Sequence, residues 1–195
     1  AADAHANESH HWIHSSLKTK TIGAAAFRER SLESDAAIKM IILAAFAMHY
    51  ERLPEGFAHG VSMSHISGGR MSWVPMLSRQ AIELTEALGR GRRTDNLYGL
   101  LFRAVEKTMG LYAQAHRGED LYGTLTAHLC FACEGDLAHR AELVTEWLEQ
   151  VQETSGLKHL LAPELVTVDF SGQGMVDAGT PLVSFGGRGL GVSFV

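Results

Sequence analysis

The chain has 195 residues, 46% apolar and 20% charged, globular values that exclude wholesale disorder and allow a core without covalent staples. Its two cysteines exclude a disulfide scaffold and fit a reducing, cytoplasmic setting. The net charge of −5 is unevenly spread: residues 57–118 carry eight Arg/Lys against four Asp/Glu, and residues 119–169 carry two against ten.

Such polarity favours oriented docking on a partner or on copies of the chain. Two solvated helix faces that happen to differ in sign would give the same pattern. Residues 1–20 are polar and include His5, His10, His11 and His14, as in a short helix or a loose arm. Adventitious metal is the limit of the chemistry expected from them.

Ser34 followed by Asp35 is a good helix start. The run from Ala36 to Arg52 is apolar almost all round, which predicts a central buried helix ended by Pro54 and Gly56. Its apolar part, Ala36 to Tyr50, contains Lys39 and is too short for a membrane span of about 20 residues. It also lies too deep in the chain for a signal segment. No membrane association is expected.

From Glu55 to about Ser72 the composition is that of a loop rich in Gly, Ser, His and Met. Met63, His65, Met71 and Met76 are soft or borderline ligands, but their spacing is irregular, and a hydrophobic contact surface is the simpler reading. Residues 73–88 return to helical spacing, with Gly89 at the C′ position. Asp95-Asn96-Leu97-Tyr98-Gly99-Leu100-Leu101 is then echoed by Glu119-Asp120-Leu121-Tyr122-Gly123-Thr124-Leu125. Each copy places acidic residues where a helix opens. The pair predicts a helical hairpin whose members meet near Gly99 and Gly123.

An acidic helix follows over residues 136–154, closed by Gly156. After Pro163 the runs 165–170, 182–185 and 190–194 read as short strands separated by glycine turns. The expected fold is therefore mainly α: a bundle of five or six helices with a short C-terminal antiparallel β tail. The chain reads as a single domain over 1–195, with the arm at 1–20, the helical core at 34–156 and the tail at 164–195.

The densest group of reactive side chains is His128, Cys130, Cys133 and His139. Four such ligands suit zinc in type, but His128 and Cys130 face apart on a helix, and no metal is expected. A thiol pair three residues apart near a helix start can instead have a lowered pKa and cycle through a disulfide. With Glu119 upstream and His139 downstream, Cys130-x-x-Cys133 resembles the AhpD family of alkylhydroperoxidases. The resemblance implies a glutamate and a histidine relaying protons to the thiol pair. It departs from the family pattern in that Leu137 stands four residues after the second cysteine and the histidine six after it. The other reading makes Cys130, Phe131 and Cys133 small apolar core residues.

Ser67-Gly68-Gly69-Arg70 and Gly186-Gly187-Arg188-Gly189 set exposed amides beside a guanidinium, either as anion nests or as plain turns; neither fits a P-loop. Arg90, Arg92 and Arg93, together with Arg70, Arg79, Arg103 and Lys107, make the middle of the chain basic. On one face they would neutralise phosphates or dock a protein. No recognised nucleic-acid motif accompanies them, and nothing like Gly-x-Ser-x-Gly occurs. The expected function is that of a non-catalytic helical subunit or interaction module of a larger protein or nucleoprotein assembly, without cofactor. Its partners would be other subunits or copies of itself. The alternative is a thiol-dependent redox enzyme using Cys130 and Cys133.

Overall fold

A computed structural model describes residues 23–63, 71–89, 96–121, 123, 124, 146, 149, 150, 159, 163–169 and 189–194. Its elements run in the order α1 (Ala24–Arg28), α2 (Ser34–Tyr50), β1 (Phe57–Ser62), β2 (Met71–Pro75), α3 (Arg79–Gly89), α4 (Leu97–His116), β3 (Leu165–Asp169) and β4 (Leu190–Phe194). The strands form one mixed sheet in the order β2-β1-β3-β4. β1 pairs antiparallel with β2, with His59 opposite Val74, and parallel with β3, with His59 opposite Thr167. β3 and β4 are also parallel, with Thr167 opposite Val192.

This corrects the expected helical bundle with an antiparallel tail. The described residues form an α and β structure, with a four-stranded mixed sheet. Two of its strands fall where a loop and the start of a helix were expected. β1 is buried on both faces from Phe57 to Val61, so its sequence does not alternate, and His59 and Gly60 lower its apparent strand preference. Met71-Ser72-Trp73-Val74-Pro75 was read with the helix that follows, yet that helix begins only at Arg79. Pro75 is tolerated in β2 because the strand lies at the edge of the sheet. At the other end, β3 and β4 join the sheet beside β1 instead of making a tail of their own.

The helix at 34–52 is confirmed as α2, one of the most buried elements. Ala36, Ala37, Lys39, Met40, Leu43, Ala44 and Phe46 are all buried. The helix ends at Tyr50 because Glu51 turns into the left-handed region at φ 55°. α4 buries Ala104, Val105, Thr108, Tyr112 and Ala115, the face that spacing of three and four creates. α2, α3 and α4 pack on one another, and Phe57, Val61, Val74 and Leu165 meet them from one face of the sheet. Each large side chain buried there contributes about 1.5–3 kcal/mol.

Most of the second helix of the expected hairpin lies outside the described residues, and the crowding at Gly99 and Gly123 is local. The atoms crowding Gly99 belong to Asn96, and those crowding Gly123 belong to Asp120. Asp120 Oδ2 accepts the Gly123 N–H at 2.5 Å and the Ser72 hydroxyl at 2.5 Å. Each glycine makes room for the side chain that opens its own helix. In the second copy that side chain also ties the helix start to β2.

Candidate functional site

Two places in the described structure bring chemistry-bearing or recognition-bearing side chains together. The first is a buried polar centre where α2 and α4 meet β1 and β3. Lys39 is fully buried, and its ammonium donates to Asp35, one turn earlier on α2. The ring of Tyr112 on α4 lies over the ammonium, its centroid 4.8 Å from Nζ. Burial pushes the Lys39 amine down to about 8, although Asp35 pulls it back up. Burial also raises the Asp35 carboxyl, against the pull of Lys39. Both shifts favour the neutral form because removal from water outweighs the mutual attraction of the pair.

His59 on β1 also packs against the Tyr112 ring, tilted at 41° with a centroid separation of 5.3 Å. Its Nδ1 stands 2.9 Å from the Thr167 carbonyl oxygen and 3.1 Å from Thr167 Oγ1. A carbonyl only accepts, so Nδ1 carries the proton and Nε2 is the bare nitrogen. Burial, then the charge of Lys39, push His59 down to about 3, and the hydrogen bond to Thr167 offsets only part of this. The Tyr112 hydroxyl is pushed well above its ordinary value by burial and by Asp35. Its approach to Asp35 falls short of hydrogen-bond geometry, and Tyr112 Oη and Thr108 Oγ1 are buried without a partner among the described residues. The Lys39 amine is fully covered, so the centre is arranged to act within the core.

The second place is an apolar groove of about 490 Å³ between three helices. α2 lines it with Met40, Ile41, Ala44, Ala45 and Met48, α3 with Leu84 and Leu88, and α4 with Leu97, Tyr98 and Leu101. Among the described residues no charged side chain lines it. Met48 is 66% exposed, Tyr98 52% and Ile41 40%. The Tyr98 hydroxyl donates to the Arg30 carbonyl at 2.6 Å, which holds that ring at the rim. Singly exposed apolar residues are ordinary, whereas a contiguous apolar recess marks an interaction site.

Cys130, Cys133 and His139 lie outside the described residues, as do Arg70, Arg90, Arg92 and Arg93. Glu119, the acid of the thiol reading, sits on the surface just after α4. Arg117 donates to it at 2.7 and 2.9 Å and holds its carboxyl below the usual range. Arg103 is exposed on α4 and lines a shallow recess of about 350 Å³ with Gln80, Glu106, Lys107 and Gly110. Of the sequence-derived groups, the described residues bring together only Arg103 and Lys107, which share that recess. Among the described residues no three His, Cys, Asp or Glu side chains are gathered as for a metal, and no helix is long and apolar enough to cross a membrane.

The residues that the sequence reading missed are Asp35, Lys39, His59, Tyr112 and Thr167. One signal was present, since Lys39 interrupts an otherwise apolar run. Comparison with family models and with curated proteins finds no match to this chain.

Proposed function

We propose that the chain is a non-catalytic interaction module that assembles through the groove between α2, α3 and α4, and that the occupant is a second copy of the chain. The groove itself is the observation that carries this reading. Its floor is apolar, and Ile41, Met48 and Tyr98 stand out from the same patch. A patch offering both a recess and protruding apolar side chains has what a two-fold interface requires, where each surface must fit itself. Covering exposed apolar area at about 25 cal/mol per Å² is the driving force such contacts share. The uneven charge of the chain adds orientation to that contact. The thiol reading draws no support from the surface ion pair of Glu119.

Light scattering on the purified chain tests this. The parent is expected to exceed the 21.2 kDa of one copy, and Met48→Glu to return it to that mass with unchanged circular dichroism. A parent that stays at the single-copy mass at every concentration, or a Met48→Glu variant of unaltered size, contradicts the reading.

A further inference from the structure

The polar centre contains an arrangement that docking does not require. Lys39 Nζ and the His59 ring both contact the same phenol ring, at 4.8 and 5.3 Å from its centroid. Lys39 has Asp35 on its own helix as counter-ion, with Glu33 before that helix and Asp169 at the end of β3 adding to the negative field. Tyr112 faces the centre from α4, and Thr167 faces it from β3. Among the described residues the only charge that acts on His59 is that of Lys39. The centre thus has counter-charge arranged for one cation on α2 and, on β1, a neutral imidazole fixed by a carbonyl.

We propose that this centre is an acid-operated latch: it holds the single positive charge of Lys39, and a second proton, taken up by His59, drives α2 and α4 off the sheet. Two cations in contact with one ring, away from water, repel far more strongly than they would in solvent. The structure resolves the conflict by separating the helices and hydrating both groups, as in histidine switches generally. α2 carries Lys39 on one face and walls the apolar groove with another. Opening the latch therefore dismantles the groove, although the latch does not depend on what the groove binds.

The sign follows from linkage. The unfolded chain protonates this histidine near 6.5, and the folded chain resists protonation down to about 3. The contribution of His59 to folding is complete above pH 6.5 and is lost progressively as the pH falls toward 3.

The test follows the full chain by circular dichroism from pH 7.5 to pH 3, in the parent, in His59→Asn and in Lys39→Met. Asn keeps a donor for the Thr167 carbonyl and cannot take the second proton. Its acid transition is expected to move down by about one pH unit or more. Lys39→Met removes the opposing charge and is expected to move the transition in the same direction by a smaller amount. If both variants open at the parent's pH, the latch is overturned. Should His59→Asn fail to fold, an NMR titration of His59 in the native parent decides. Protonation near pH 6.5 within an intact fold overturns the proposal, and a neutral ring down to the pH of opening supports it. An unchanged groove-dependent mass at pH 7.5 keeps this outcome separate from that of the docking reading.

Discussion

Lys39 is a residue at which large opposing terms of folding meet. Its stem lies among the apolar side chains of α2, and its ammonium has left water for one carboxylate and one aromatic face. Because burial brings the amine down to about 8 from 10.5, the unfolded chain binds the proton more tightly than the folded one. Stability therefore rises as the pH climbs from 8 to 10.5, by at most about 1.4 kcal/mol per pH unit. Replacing Lys39 with Met is expected to flatten that rise in a series of urea midpoints. A variant that keeps the parent's slope would show that Lys39 is solvated. From sequence, Lys39 stands out as a charge within an apolar run. Its companions did not, because His59, Tyr112 and Thr167 come from three other elements and meet it only through strand register and helix packing.

Elements that stand on local pattern were legible, and those that stand on pairing were not. The buried helix read at 34–52 is α2 because an all-round apolar run of that length has few other solutions. β1 and β2 escaped notice because a strand covered on both faces lacks alternation, and helical spacing can be counted straight through Pro75. The parallel register of β1 and β3 is fixed by contacts far apart in the chain. Glu164, just before β3, accepts from Arg52 at 2.5 and 2.8 Å and from the Glu55 N–H at 2.9 Å. Arg52 holds the Glu164 carboxyl below the usual carboxylate range, so this clasp is present above pH 4.5 and weakens as the pH falls below it. An exposed ion pair alone contributes at most about 1 kcal/mol, but here a backbone donor also loses its partner. Glu164→Ala is expected to cost about 1–2 kcal/mol in urea unfolding. A cost no greater than that of Arg52→Ala would show that the backbone bond adds nothing.

At the scale of the whole molecule, α2, α3 and α4 pack together against one face of the sheet and, among the described residues, leave an apolar recess between them that their own side chains do not fill. The low charged content along α2 was visible in the sequence, yet it was read as a sign of complete burial, and only the packing shows that Ile41 and Met48 reach the surface. The polarity of charge between the middle and later parts of the chain was equally visible. Its consequence for docking rests on the groove, because of the arginines considered for partner contact the described residues include only Arg79, which is paired with Glu83, and Arg103. The account stands or falls on whether this recess is the surface that becomes covered. Hydrogen exchange measured over a dilution series of the full chain asks this directly. With rising concentration, amides in residues 40–48, 84–88 and 97–101 are expected to gain protection together, while those around Arg103, Glu106 and Gly110 do not. Protection that appears around Arg103 to Gly110, with the groove segments unchanged, would contradict the account.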